Sequence, residues 1–323
     1  MHRGRRSLAV LLTLALTACS PATAPDPVAA PADSGEPDRA PAIRTYTYKT
    51  IGRLALRADV FAPRAETPRP VVVWLHGGTL IFGSRRWIKP EFVEFCLRQE
   101  YIVVSLDFRL APETKVPEIV ADIQDGIRWV REQGPHLFSV DPGRLLVAGN
   151  SSGGYLAMMT GISVEPRPTA IVSYWGYGEI DAGWLIEPHY HEGALALLSE
   201  EHVRLPDGTL NREAYYVYLR QRGLWTKEVS GFDPHLDRDE LTPYCPLRNI
   251  GSEYPPILMV HGTDDDDVPF EASVAMAEDL ARHGVPHELI RVPGAAHELD
   301  GGDEALVAEA HRRAFEFIKA HLQ

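Results

Sequence analysis

Short, unbroken apolar runs recur along the chain at 71–75 (VVVWL), Ile102–Leu106 (IVVSL), 145–148 (LLVA) and 257–260 (ILMV). Runs of this length, bounded by Gly, Pro or charged residues, predict strands buried on both faces. Two more strands are expected near Ala170–Tyr174 and at 285–292. The pattern is strand-like from Thr45, and Leu54, Leu56, Ala58 and Val60 alternate with other residues, the period of an antiparallel strand with one wet face. Helical spacing separates the runs at 90–100, 116–133, Ser152–Ser163, 270–283 and 302–322. Strands alternating with helices imply an α/β fold, a mostly parallel central sheet covered on both faces by helices.

Residues 177–249 break this alternation. They hold two short helical stretches, at 192–202 and 211–222, between Pro- and Gly-rich loops, and no buried-strand run. This segment reads as a helical cap inserted into the core after the strand near Ala170–Tyr174. Eleven of the chain's 28 aromatic residues lie between Tyr174 and Tyr244, among them Trp175, Trp184, Tyr190, Tyr215, Tyr216 and Trp225. They are expected to roof a pocket or to form the cap's own small core, and one residue can do both.

The first 41 residues are of another kind. A basic start with Arg3, Arg5 and Arg6 precedes a dozen apolar residues, SLAVLLTLALTA, too short to span a bilayer comfortably. Residues 1–18 therefore read as a signal peptide, and Leu16-Thr17-Ala18-Cys19 resembles the bacterial lipobox, with Cys19 as the lipidated residue. Residues 19–41 are rich in Pro, Ala, Asp and Ser and read as a disordered tether, leaving 42–323 as the folded domain. The expected location is outside the cytoplasm, on a bacterial membrane, held by lipid alone. Cys96 and Cys245 remain, and both a disulfide between them and two buried free thiols are open.

The whole chain carries 32 Lys and Arg against 45 Asp and Glu, a net charge of −13. Loss of the three leader arginines takes this to 29 against 45, or −16. Such a surface argues against nucleic acid as a partner, because that affinity rests on neutralising phosphates. The 45% hydrophobic content is ample for a core.

The chemistry gathers at four places. Gly149-Asn150-Ser151-Ser152-Gly153-Gly154 lies between a buried strand and a helix, the setting of a nucleophile on a tight turn. Only Ser151 has glycine two residues away on both sides, small enough to let strand and helix approach. A serine hydroxyl needs an adjacent base, and His297, in the small-residue loop PGAAH after the last strand, is the candidate. An acid must orient the imidazole. The run Asp264 to Asp267 after the strand at 257–260 offers four, of which Asp265 is the first choice and Asp264 the second; at least two should be solvated loop. The turn His76-Gly77-Gly78-Thr79 ends the strand at 71–75, so the N–H groups of Gly77, Gly78 and Thr79, with that of Ser152, are the candidate oxyanion donors. No spacing suggests a metal site.

Together, HGGTLIFG, DFRLAPE, GNSSGG, HGTDDDDVP and GAAH stand in the order of the esterases similar to hormone-sensitive lipase, within the wider α/β-hydrolase superfamily. The resemblance covers roughly residues 45–323 and is weakest in the cap. It implies the α/β-hydrolase fold, Ser151 as nucleophile and His297 as base. It also implies Asp265 as the acid, from the pattern H-G-T-x-D-x-x-V-P, and Gly77, Gly78 and Thr79 as the oxyanion segment. Asp107 and Arg109 would brace that segment. Thr79 stands where the family has a third glycine, and Asn150 and Ser152 where Asp and Ala are usual; these departures bear on substrate preference more than on catalysis. The expected activity is hydrolysis of carboxylic esters through an acyl-enzyme, with no cofactor. The rivals are a peptidase or an amidase or deacetylase on the same fold, and a lipoprotein that only binds. No blade-like strand repeat favours the peptidase.

Overall fold

The computed structural model describes residues 42–63, 67–189 and 197–323. Residues 1–41, where the leader, the tether and the lipidated Cys19 are expected, lie outside the described residues. Eight strands form one sheet in the order β1-β2-β4-β3-β5-β6-β7-β8. They are β1 Ala42–Ile51, β2 Leu54–Ala62, β3 Arg69–Leu75, β4 Ile102–Leu106, β5 Val140–Asn150, β6 Ala170–Tyr174, β7 Ile257–Gly262 and β8 His287–Val292. The pairings β1·β2 and β2·β4 are antiparallel and all others parallel, so β2 alone runs against the rest.

The parallel strands are buried on both faces, and the period of two splits their side chains between two cores. Val71, Val73 and Leu75 of β3 face one, packed with α2 (Val116–Phe138), α3 (Ser152–Ser163) and α8 (Phe270–Arg282). Val72 and Trp74 face the other, packed with α1 (Pro90–Arg98) and α9 (Glu304–Leu322). Two boundaries depart from the pattern reading. Helix α2 runs past Gln133 through Pro135 to Phe138, where Ser139 ends it in the left-handed region at φ 59°. A proline so near a C-terminus disturbs only the last turn. Strand β5 starts at Val140, because its first residues pair with Arg69 ahead of the apolar run.

Between β6 and β7 lie the short helices α4 Gly183–Ile186, α5 Arg212–Arg220, α6 Trp225–Ser230 and α7 Arg238–Leu241. Helix α5 falls within the predicted 211–222 stretch, capped by the Asn211 side chain on the Ala214 N–H at 3.2 Å. Of the stretch expected to be helical at 192–202, the described part is not a helix. Residues 192–196 lie outside the described residues, and 197–202 are loop and turn, leading into a bridge between Arg204 and Leu210. Leu197 is 57% exposed, so this piece has no core to dock a helical face on. The aromatics do both expected jobs: Tyr177 packs edge-on against Trp184 and Trp225, and all three line a cavity with Ser151. Cys96 and Cys245 are separate free thiols, both buried. Burial pushes the Cys245 thiol up to about 12.

Candidate active site

Every predicted site residue of the folded part sits at a C-terminal end of a parallel strand, the edge where open α/β sheets bind ligands. Ser151 follows β5 with φ 53° and ψ −124°, a backbone region that side chains seldom adopt. Its N–H donates to the Tyr174 carbonyl at 2.9 Å, and its carbonyl accepts from the Tyr155 N–H at 3.0 Å. The flanking glycines are required sterically. A Cβ on Gly149 would lie 2.3 Å from the Gly153 carbonyl oxygen, and one on Gly153 would lie 2.1 Å from that of Leu75.

Asp265 follows β7 and His297 follows β8. Gly262 lets these two loops meet: a Cβ there would be 2.2 Å from the Ala295 carbonyl oxygen. His297 Nδ1 is 2.7 Å from Asp265 Oδ2, and its Nε2 is 3.3 Å from Ser151 Oγ. With Nδ1–H donating to the carboxylate, Nε2 faces the serine hydroxyl as acceptor. Asp265 Oδ1 accepts from the Asp267 N–H at 3.0 Å and the Val268 N–H at 2.9 Å. Burial would raise its carboxyl, but the bonds from His261, His297 and the Val268 N–H outweigh burial and hold it well below the usual carboxylate range. Burial opposes charge on His297 too. The bond to Asp265 and the nearby Asp265, Asp267 and Glu298 charges prevail and raise it. Asp264 and Asp266 are exposed, as expected for two members of that run.

The oxyanion segment needs one correction. The Gly77 N–H already donates to Asn150 Oδ1 at 3.0 Å, so Gly77 is not a free donor. The asparagine in place of the family's aspartate makes this bond. The N–H groups of Gly78, Thr79 and Ser152 have no acceptor among the described residues. Nor does the Thr79 hydroxyl, which is buried in the wall of the Ser151 cavity. Gly78 has φ 108°, and a Cβ there would be 2.2 Å from the Phe82 carbonyl oxygen, so the turn demands glycine. Asp107 braces this region through Arg85, accepting from its N–H at 3.0 Å and its Nη1 at 2.7 Å. Arg109 does not touch the oxyanion turn. It pairs instead with the buried Asp122 of α2, Nε to Oδ2 at 2.7 Å.

Several residues escaped the sequence reading. His261, buried at the end of β7, approaches Asp265 Oδ2 with Nε2 at 3.2 Å and the Val268 carbonyl at 2.9 Å, while Ser273 Oγ is 2.7 Å from its Nδ1. His76 is stacked on Phe108 with centroids 4.2 Å apart, and burial lowers it to about 4, so it stays neutral and braces Gly77. Cap residues grip the site as well. Trp225 Nε1 donates to the Thr79 carbonyl at 3.1 Å, and Arg212 Nη1 to those of Ile81 and Ala111, both at 2.7 Å. The i, i+4 pair Tyr216 and Arg220 reaches Asp267. Only their place in a helical stretch could have hinted at a shared face.

The cavity between Ser151 and the cap aromatics has a volume of only about 10 Å³, room for about one water. A second cavity, of about 620 Å³, is walled mainly by Trp74, Trp87, Phe92, Trp175 and Phe315. It reaches Asn150 and Glu298, the chain neighbours of Ser151 and His297. Among the described residues no cluster of His, Cys, Asp and Glu could hold a metal ion, and no helix is long and apolar enough to cross a membrane.

A serine on a strained strand-to-helix turn, in line with an imidazole and a carboxylate from the last two strand ends, defines a nucleophile-elbow α/β protein. The chain belongs to the alpha/beta hydrolase fold family, whose model matches residues 72–300. Esterase 2 of Thermogutta terrifontis is a structural neighbour. Its sarin-phosphonylated form is 24% identical with a TM-score of 0.63, covering 86% of this chain and 95% of that one. Its butyrate-bound form is 22% identical with a TM-score of 0.62, covering 88% and 93%. Sequence relatives include the non-reducing polyketide synthases atr1 of Stereocaulon alpinum and pkbA of Emericella nidulans. Both are 27% identical, in alignments 304 and 350 positions long that cover 80% and 87% of this chain. The chain spans only 12% and 14% of their lengths.

Proposed function

We propose that the chain hydrolyses carboxylic esters, with Ser151 as nucleophile, His297 as general base and acid, and Asp265 as the orienting carboxylate. The observation that carries this reading is the hydrogen-bonded line from Ser151 Oγ through His297 to Asp265, beside unpaired N–H donors. Ser151 Oγ attacks the ester carbonyl carbon as its proton passes to His297 Nε2. The oxyanion is held by N–H groups of Gly78, Thr79 and Ser152, each such donor contributing about 3 kcal/mol to lowering the barrier. The tetrahedral intermediate collapses, the alcohol leaves with the proton from Nε2, and water repeats the sequence on the acyl-enzyme. No cofactor enters.

The aromatic cavity of about 620 Å³ suits a bulky apolar half of the ester, while the cavity beside Ser151, with room for about one water, favours the smallest acyl groups and must widen to admit them. The butyrate complex and the sarin adduct of the Thermogutta esterase support trying short acyl esters and organophosphorus reagents first. The test is turnover of short acyl-nitrophenyl esters alongside matching amides. Ser151→Ala should abolish ester turnover with the fold retained, and full activity in that variant would end the reading.

Export and anchoring through Cys19 form the second part of the proposal. It is supported by the basic start, the apolar dozen and the LTAC sequence. Intact-mass analysis of the membrane fraction should find lipid on Cys19, and Cys19→Ala should release the protein; an unlipidated chain would exclude the anchor.

A further inference from the structure

His297 Nε2 faces two oxygen acceptors. Ser151 Oγ is at 3.3 Å, and Asp267 Oδ2 is at 3.7 Å. The Asp267 carboxylate stands in the wall of the small cavity that holds Ser151. In the proposed reaction the proton on Nε2 must go to the leaving alcohol. A carboxylate free to close the remaining gap would take that N–H for itself and draw the base off Ser151.

Among the described residues, two of the cap grip Asp267. The Tyr216 hydroxyl donates to Asp267 Oδ1. Arg220 Nη1 donates to the Tyr216 hydroxyl oxygen at 3.1 Å and to the Asp267 carbonyl at 3.4 Å, and lies 3.9 Å from Oδ1. Arg220 is 1% exposed, with its guanidinium 5.0 Å over the Trp184 ring and 5.8 Å over that of Tyr216. A buried guanidinium is costly unless its charge is answered, and Asp267 is the carboxylate facing it. Both anchors are on α5, one turn apart, so they move with that helix.

We propose that Tyr216 and Arg220 are positioning residues that hold the Asp267 carboxylate clear of His297 Nε2, so that the docking of α5 keeps this nitrogen for Ser151. The inference rests on the Ser151–His297 reading. The charged and titratable groups around the imidazole are Asp265 and Asp267 from the loop after β7 and Glu298 beside it; the Trp175 ring meets it edge-on. Among the described residues, Arg220 and Tyr216 of α5, and Tyr177 after β6, face Asp267. Asp267 favours the charged imidazole through space. Freeing its carboxylate strengthens that effect, and neutralising it removes it.

The test combines NMR titration of the His297 ring with pH–rate profiles for a short acyl ester. Tyr216→Phe keeps the ring and removes the hydrogen bond. It should move the His297 midpoint, and the rising limb of kcat, up by about half a unit, and lower kcat about tenfold. Asp267→Asn should move the midpoint down. The double variant should regain most of the kcat lost in Tyr216→Phe, with its midpoint below wild type. If Tyr216 were only structural, its variant would lose stability and kcat with the midpoint unmoved and no rescue by Asp267→Asn. Either an unmoved midpoint or a failed rescue overturns the proposal. A wild-type chain inert to every ester would end the hydrolase reading instead, and the NMR midpoints would still decide the positioning.

Discussion

Gly153→Ala is a demanding test of the strained turn, because one methyl group probes the whole strand–helix junction. The added Cβ would lie 2.1 Å from the Leu75 carbonyl oxygen and 2.5 Å from that of His76. Ordinary contact starts at 3.4 Å, so α3 and β3 must separate by more than 1 Å. Neither can do so easily. Strand β3 is paired on both sides, by β4 and β5, and most of α3 is buried. The atoms in the way are backbone, so no side chain can swing aside. Overpacking typically costs about 1–3 kcal/mol, and this site belongs at the upper end. At roughly 2–4 °C per kcal/mol in a chain of this size, the melting temperature should fall by about 6–12 °C. Ser151 sits two residues away, and a displacement near 1 Å should lower kcat/KM by about a hundredfold. Gly251→Ala is the matched control: a Cβ added there would meet no atom within 4 Å, so stability should stay within about 0.5 kcal/mol. Calorimetry and ester kinetics on the two variants decide. A Gly153→Ala protein as stable and active as its control would refute the steric account of the turn.

Asp265→Asn should lower kcat/KM by roughly 10³–10⁴. Because Asp265 raises His297, its loss should also move the rising limb of the pH–rate profile to lower pH; a limb moving upward would contradict the assignment. The same carboxyl is lowered in the folded state, so its stabilising contribution is present above the unfolded carboxylate range and is lost as pH falls through the folded value. Acid unfolding of Asp265→Asn, followed by circular dichroism, should accordingly show a flatter dependence than wild type. Trp225→Phe removes the bond to the Thr79 carbonyl while keeping most of the ring. It should lower kcat several-fold through a looser oxyanion turn with KM little changed, and an unchanged kcat would remove Trp225 from the account.

The sheet was legible because strands buried on both faces must read as unbroken apolar runs, and the strands at Ile102–Leu106 and Ala170–Tyr174 match those runs residue for residue. Ser151 was legible because sterics at Gly149 and Gly153 leave few other sequences for the turn. Cooperative detail was not. The Gly77 N–H looked available until Asn150 was found to accept it, a contact across 73 residues that no local pattern encodes. His261 looked like the last residue of a strand, and its bond to Asp265 exists only because the chain turns back within four residues. In the cap, hydrophobic periodicity suggested a helix at 192–202. The described part, 197–202, is loop and turn with Leu197 exposed. The contacts of Tyr216 and Arg220 with Asp267, and of Trp225 with Thr79, exist only with the cap folded over the strand ends.

The central claim is that Ser151 is made nucleophilic by the His297–Asp265 line. It is tested most directly by treating the folded protein with a fluorophosphonate and locating the adduct by peptide mass spectrometry. The account predicts one adduct, on Ser151, forming faster as pH rises through the His297 titration and lost in His297→Ala. A fully folded protein that stays unlabelled, or that carries the label on Ser152 or elsewhere, would contradict it.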